Sequence, residues 1–315
     1  VNRYCSSSLQ TIRMAFHAIK AGEGDVFVAG GVECVSRYQF GASDTGPHND
    51  SFKDAETRTA ERTGEGVETW TPPQGLPDVY IAMGQTAENV AQSKGVSRKD
   101  QDEWGVRSQN RAEAAASRGF FEREITPYTV PDGTVVTADD GIRAGTTYEN
   151  VSQLNPVFRP DGTVTAATSS PFSIGASAML ITSEKFANDN GLKIRATIEG
   201  RAVAGVHWKM FGSGPVPATE KALEKTGLSM DDIDAVELNE AFAAQALYCI
   251  KKANWDINKV NLNGGAVALG HPLGISGTRI ITTLLNVLEQ QDKSMGLATM
   301  CVGTGQGITT IIKRG

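Results

Sequence analysis

The 315-residue chain has little of what marks several common classes of protein. Its 30 lysine and arginine residues are outnumbered by 36 aspartate and glutamate residues, so its formal net charge is −6. No basic stripe with interleaved aromatic residues appears, and the sequence therefore predicts no nucleic-acid partner. No apolar run approaches the ~18 residues that a membrane-spanning helix needs, so no membrane partner is predicted either.

Cysteine is scarce as well. The chain has four widely separated cysteines, at Cys5, Cys34, Cys249 and Cys301. They show neither Cys-x-x-Cys spacing nor the density of a small secreted domain, which indicates reduced thiols in a cytoplasmic protein and disfavours a zinc site. What the chain does have, 40% hydrophobic and 21% charged residues over this length, predicts a globular protein with a large core and more than one domain.

A glycine-rich stretch from Asn261 to Gly277 surrounds a single histidine, His271. Its glycines permit close packing or positive φ, and Pro272 fixes the backbone directly after the histidine. An apolar pattern then predicts a helix from Thr278 to Leu288. Because isolated histidines are more often structural than catalytic, a functional interpretation depends on what other segments supply.

Three other segments supply groups that such a histidine could serve. Cys5 directly precedes a helix predicted from Ser6 to Lys20, and the helix N-terminus should lower the pKa of its thiol. The alternative is a cysteine that acts as a small buried hydrophobe. Asn239 follows a strand predicted at Val236 to Leu238, with helix capping as its alternative role, and Cys301 ends a second predicted strand.

Together these segments resemble the thiolase family of acetyl-CoA acyltransferases. The matching motifs occur in the family's order: CSSSLQ at Cys5, NEAFAAQ at Asn239, GGAVALGHPLGISG at His271 and CVGTGQG at Cys301. The resemblance implies an α/β fold in which a duplicated βαβαβαββ unit forms five layers, α-β-α-β-α, with an inserted loop domain. A weak internal repeat agrees with a duplication, since the segments after Cys5 and after Gly274 both predict a helix followed by a strand.

The resemblance also implies a division into domains. Residues 1–36 would be an incomplete N-terminal core, because the family carries a further strand and helix segment before its nucleophile. Residues 37–162 would be the loop domain that covers the CoA site, and 163–192 would return to the N-terminal core. Residues 193–315 would form the C-terminal thiolase domain. The polar, proline-containing composition of the second region fits a long excursion, in which helices are predicted at Met83 to Gly95 and at Arg98 to Arg118.

Catalytic roles follow from the resemblance alone. It implies that Cys5 is the acylated nucleophile and that His271 is the base that takes its proton. Cys301 would exchange a proton with the α-carbon of acetyl-CoA. Asn239 would hold a water that forms one oxyanion site with His271, and the N–H groups of Cys5 and Gly303 would form the other.

Contacts with CoA are implied in the same way. Met83 would line the pantetheine tunnel, Arg143 would bind a phosphate and Ser170 would contact the pantetheine, with Phe172 and Phe242 nearby. The alternative interpretations are that Met83 is an ordinary core residue and that Arg143 is a solvated surface charge. CoA is a substrate of this reaction, and neither a separate cofactor nor a metal is expected.

The chain departs from the family pattern at several positions. Ser8 replaces the glycine that usually follows the nucleophile by three residues, and we expect its side chain to alter the acyl pocket. Ser173 and Ile174 stand where most members have Asn-Asp, and Thr168 stands where most have asparagine. These departures make the acyl chain length the least determined property of the substrate.

The function expected is that of a cytoplasmic thiolase in fatty acid β-oxidation, active as a homodimer or homotetramer. It would cleave 3-ketoacyl-CoA to acetyl-CoA and a shortened acyl-CoA, or run the reverse condensation. Two alternatives remain open: a condensing enzyme of the ketoacyl-synthase type, and a non-catalytic subunit that binds CoA or acyl-CoA.

Overall fold

The computed structural model describes residues 1–35, 47–65, 75–76 and 78–315. Its helices are α1 (Ser7–Ala21), α2 (Lys53–Glu65), α3 (Met83–Lys94), α4 (Arg98–Ser117), α5 (Tyr148–Ser152), α6 (Glu184–Asp189), α7 (Pro215–Thr226), α8 (Ala243–Lys252), α9 (Ala266–Leu269) and α10 (Ser276–Gln290). Its strands are β1 (Val26–Cys34), β2 (Tyr128–Thr129), β3 (Val135–Val136), β4 (Ile174–Thr182), β5 (Ala196–Gly205), β6 (Ala235–Leu238), β7 (Met295–Val302) and β8 (Gln306–Arg314).

The larger sheet lies in the second half of the chain, with strand order β5-β8-β7-β6. β7 is antiparallel to β8 and parallel to β6, so the carboxyl ends of β6 and β7 meet at one edge. In the first half, β1 pairs antiparallel with β4. The order α1-β1-β4 therefore matches α10-β7-β8, and the predicted internal repeat is confirmed at the level of these elements.

The β1–β4 pair has two unlike faces. Its inner face packs on α1 and α10, as the burial of Ala29 and the contact of Met179 and Ile181 with the main core show. Its outer face carries exposed apolar side chains, among them Val28 and Leu180, which are register partners. Among the described residues no other strand pairs with β1 or β4, so only the second half displays a four-stranded sheet.

Helices α1 and α10 cross at the centre of the molecule. A Cβ at Gly277 would overlap the backbone of Leu9, so the glycine permits the close approach of the two helices. Ser8 Oγ accepts the Thr278 N–H at 2.9 Å, which satisfies one of the free donors at the start of α10. Ser8 is fully buried at this helix crossing, and its hydroxyl connects α1 to α10.

Candidate active site

Cys5 lies in a single 3-10 turn, Tyr4–Ser6, directly before α1. Tyr4 has φ 48°, a left-handed conformation that non-glycine residues seldom adopt. Such local strain clusters at functional sites. The turn buries Cys5, of which 5% is exposed, against the start of α10 and the end of β7.

The pKa of the Cys5 thiol is raised to about 11, chiefly by burial. Hydrogen bonds from the Gly303 N–H and from its own N–H act in the opposite direction. The expectation that the helix N-terminus lowers this pKa is therefore wrong for the net shift, because desolvation of the thiolate outweighs the local donors. Cys5 is a neutral thiol at pH 7 and needs a base to become a nucleophile.

His271 follows α9 on a tight turn. Gly270 has φ 87°, and a Cβ there would overlap Ser173 Oγ, so glycine is required before the histidine. His271 Nδ1 lies 2.6 Å from Ser276 Oγ, and the Ser276 hydroxyl donates to the Pro272 carbonyl at 2.9 Å. This network assigns the proton to Nδ1 and leaves Nε2 without a proton, so that Nε2 is an acceptor.

Burial lowers the pKa of His271 to about 4, so the ring is neutral at pH 7. A neutral imidazole whose Nε2 carries no proton is the protonation state that a general base requires. Asn239 Nδ2 lies 3.3 Å from this same nitrogen. The two residues that were predicted to share an oxyanion site are therefore neighbours.

Asn239 lies at the carboxyl end of β6, where its N–H donates to the Thr299 carbonyl at 3.0 Å. The next helix, α8, begins only at Ala243, and its N-cap residue is Phe242. The alternative in which Asn239 caps this helix is therefore wrong. Its side chain is free to face His271 because a short loop separates strand and helix.

Cys301 lies next to the last residue of β7 and is fully buried. Burial raises the pKa of its thiol well above the ordinary value, and the nearby Cys5 raises it further. Cys301 is therefore a proton-bearing thiol at neutral pH. Gly303 follows in the turn to β8, and its N–H and that of Cys5 both face the Cys5 thiol.

Two of the predicted CoA contacts lie in the apolar cluster that contains Cys301. Phe242 is buried and meets Phe158 edge to face, with ring centroids 6.0 Å apart. Met83, the first residue of α3, packs against the same cluster. The structure therefore joins helix α3 to the thiol-bearing end of β7.

The other three predicted CoA contacts lie outside this cluster. Ser170 is tied to the NEAF segment, since its N–H and its hydroxyl both donate to the Ala241 carbonyl, at 3.1 and 3.0 Å. Phe172 is 82% exposed. Arg143 is also exposed, and its N–H donates to Gln109 Oε1 at 2.8 Å.

Comparisons with known proteins agree with this arrangement. A family model described as "Thiolase, N-terminal domain" matches residues 1–185, and one described as "Thiolase, C-terminal domain" matches residues 192–314. The chain belongs to the thiolase family. The resemblance that the four motifs predicted is thereby confirmed.

Individual thiolases match over the whole chain. The 3-ketoacyl-CoA thiolase of Vibrio vulnificus (strain CMCP6) is 47% identical over 322 residues, which cover 100% of this chain and 78% of that protein. The human mitochondrial 3-ketoacyl-CoA thiolase in complex with CoA is 35% identical with a TM-score of 0.85, covering 100% of this chain and 77% of that one. The dimeric peroxisomal thiolase of Saccharomyces cerevisiae is 38% identical with a TM-score of 0.87, covering 100% and 75%. The predicted α/β thiolase fold is confirmed.

Sequence reasoning missed Ser276, which orients the His271 ring. It lies two residues before the helix predicted from Thr278, and its distance to Nδ1 depends on how the HPLG turn folds back. It also missed Ser108 of α4, which bonds the segment before His271 from a helix about 160 residues earlier. No local pattern connects these two positions.

The described part of this thiolase contains no group of three or more histidine, cysteine, aspartate or glutamate residues placed to hold a metal ion. In the same residues, no helix is both long enough and apolar enough to cross a membrane.

Proposed function

We propose that this chain is an acyltransferase that cleaves 3-ketoacyl-CoA to acetyl-CoA and a shortened acyl-CoA, or runs the reverse Claisen condensation. One observation carries the proposal. A neutral His271, bonded to Asn239, lies at the same sheet edge as two buried thiols, one of which receives the Gly303 N–H. Its sequence relatives include 3-ketoacyl-CoA thiolases at 47% identity.

The first step acylates Cys5. His271 Nε2 takes the thiol proton, and the sulfur attacks the 3-keto carbon of the substrate. As the bond between carbons 2 and 3 breaks, its electron pair passes to carbon 2, and Cys301 supplies a proton there to release acetyl-CoA. The raised pKa of Cys301 suits it to this task, because its thiol still holds its proton at neutral pH.

The second step returns the acyl group to CoA. The CoA thiol gives its proton to the Cys301 thiolate and attacks the acyl carbon, and the Cys5 sulfur leaves and recovers its proton from His271. The N–H groups of Cys5 and Gly303 stabilise the oxyanion on the acyl group. In the first step, His271 and a water held by Asn239 stabilise the enolate oxygen of acetyl-CoA. Because water is excluded from these buried groups, each electrostatic interaction is stronger than it would be in water.

CoA enters this account as a substrate, with no separate cofactor. Met83 and Phe242 line the apolar path that leads to Cys301, Ser170 and Phe172 flank it, and Arg143 meets a phosphate at the surface. Residues 37–162 would be the loop domain that covers CoA, between the core segments 1–36 and 163–192, and residues 193–315 would be the C-terminal domain. Residues 36–46, 66–74 and 77 of this division lie outside the described residues.

Arg143→Ala is expected to raise the KM for CoA about threefold to tenfold with little change in kcat, because an exposed arginine–phosphate contact adds modest binding energy. Steady-state kinetics with acetoacetyl-CoA would measure the change. Acetoacetyl-pantetheine, which lacks the nucleotide phosphates, is the matched control and should be used equally well by both proteins. Equal KM values for CoA in the two proteins would remove Arg143 from the site.

We propose a cellular location, a pathway and an oligomeric state that fit the same reaction. Both thiols must stay reduced to work, which a cytoplasmic location maintains, and the reaction class suits fatty acid β-oxidation. One similar structure is that of a dimeric thiolase, which supports a homodimer or homotetramer here.

A direct assay tests the function. The purified full-length protein, given acetoacetyl-CoA and CoA, is expected to form two equivalents of acetyl-CoA for each acetoacetyl-CoA consumed, as measured by mass spectrometry of the acyl-CoA pool. Binding of CoA without any cleavage would overturn the proposal in favour of a non-catalytic binding subunit.

A further inference from the structure

Glu240 follows Asn239 in the loop after β6 and is completely buried. Its carboxylate accepts three hydrogen bonds from protein donors. Oε1 accepts from Asn261 Nδ2 at 2.8 Å, and Oε2 accepts from Ser108 Oγ at 2.7 Å and from the Val267 N–H at 3.1 Å. Three donors converge on this one carboxyl group, so both of its oxygens are bonded to the protein.

Asn261 connects this carboxylate to the strand. Its Oδ1 accepts the Leu238 N–H and its Nδ2 donates to the Leu238 carbonyl, both at 2.8 Å. The residue directly before Asn239 is therefore bonded to the first residue of the segment that leads to His271. Asn261 adopts φ 48° to make these bonds, a conformation that asparagine tolerates better than most residues.

Gly265 packs directly against the same carboxyl group. A Cβ at Gly265 would overlap the Glu240 carboxyl group. Ser108 Oγ, which donates to Glu240, accepts the Gly265 N–H at 3.0 Å. One serine of α4 thus connects the carboxylate to the backbone that precedes α9 and His271.

Further side chains of α4 hold the same segment. Arg107 and Arg111 donate to the Val260 carbonyl at 3.2 and 2.9 Å, and Gln109 Nε2 donates to the Val267 carbonyl at 3.4 Å. The segment 260–267 is therefore bonded along its length to a helix that precedes it by about 150 residues. Through Ser108, α4 is also bonded to Glu240, which lies in the loop that carries Asn239.

We propose that Glu240 is a positioning residue that fixes Asn239 and His271 relative to each other, through Asn261, Val267 and Ser108. The inference rests on the proposed function, since it assigns Glu240 to the acylation step of that reaction. Glu240 would act without touching the substrate. A shift of about 1 Å between Asn239 and His271 would suffice to lower the rate about 100-fold.

The test uses two variants and a matched control in the full-length protein. Glu240→Gln keeps the size and shape of the side chain but replaces one acceptor oxygen with an amide N–H2, which would face a donor. Ser108→Ala removes one of the three donors to Glu240. Glu237→Gln is the control, because Glu237 is also buried on β6 but, within the described residues, makes no hydrogen bond to the segment 261–271. We expect kcat to fall about 100-fold in Glu240→Gln and about tenfold in Ser108→Ala, while the KM for CoA stays unchanged in both variants. In the control Glu237→Gln, neither kcat nor the KM for CoA should change.

A double-mutant cycle separates positioning from general loss of structure. Alkylation of Cys5 by iodoacetamide at pH 7 should slow in Glu240→Gln by about the same factor as kcat. In a His271→Ala background, Glu240→Gln should cause no further slowing, because both changes act through one base.

Additive effects of Glu240→Gln and His271→Ala, or a kcat for Glu240→Gln equal to that of the unmodified protein, would overturn the proposal. Should Glu240→Gln fail to fold, the same cycle with Ser108→Ala decides. If the unmodified protein cleaves no 3-ketoacyl-CoA, the proposed function fails, but the alkylation cycle still shows whether Glu240 acts through His271.

Discussion

An alanine in place of His271 is expected to slow acylation of Cys5 by about 10²- to 10⁴-fold, the usual contribution of a general base. The Cys5 thiol, with a pKa raised to about 11, holds almost no thiolate at pH 7 without a proton acceptor. Rapid-quench measurement of a single turnover of acetoacetyl-CoA would give the rate. His17→Ala is the matched control, because His17 is an exposed histidine on α1.

The pH dependence separates the roles of the two groups. Because the pKa of His271 is lowered to about 4, the unmodified protein should keep its acylation rate down to that pH and lose it below, as the ring becomes protonated. In His271→Ala the rate should instead rise with pH, about tenfold per unit, until the thiol ionises near pH 11. A variant that acylates as fast as the unmodified protein at pH 7 would remove His271 from the mechanism.

The second large effect is expected at Cys301. Cys301→Ala should lower the rate of deuterium exchange at the α-carbon of acetyl-CoA about 10²- to 10⁴-fold, because the variant lacks the group that moves this proton. Mass spectrometry of acetyl-CoA after incubation in D₂O measures the exchange. Alkylation of Cys5 should continue in the variant, since the base His271 is intact.

Cys249→Ala is the control for Cys301. Cys249 is an equally buried thiol, and its Sγ donates to the Gly212 carbonyl at 3.1 Å. Its loss should leave exchange per folded molecule unchanged. Exchange that persists in Cys301→Ala and is lost in Cys249→Ala would reverse the assignment of the two thiols.

Local patterns in the sequence located the helices and strands next to the site residues. The helix predicted from Ser6 to Lys20 is observed as Ser7–Ala21, since buried side chains recur at helical spacing and Gly22 ends it. The apolar run from Asp25 to Gly31 predicts a strand, which is observed as Val26–Cys34 because pairing with β4 extends it. Such pairing depends on a segment about 140 residues away, which periodicity cannot detect.

Packing between distant segments explains where the site differs from expectation. Ser8 was expected at the acyl pocket but contacts α10, and the Cys5 pKa moves upward because distant elements bury the thiol. The motifs at Cys5, Asn239, His271 and Cys301 identified the family because each is short and local. Their mutual distances, and the contacts of α4 with the His271 segment, required the folded chain.

The most direct test of the account is peptide mass spectrometry of the full-length protein after brief exposure to acetoacetyl-CoA, with His271→Ala treated alongside. The account predicts an acetyl group on the peptide that contains Cys5, and a much weaker signal in the variant. An unmodified Cys5 in a protein that still binds CoA, or an acetyl group on Cys301 in its place, would contradict the central claim that Cys5 carries the acyl group.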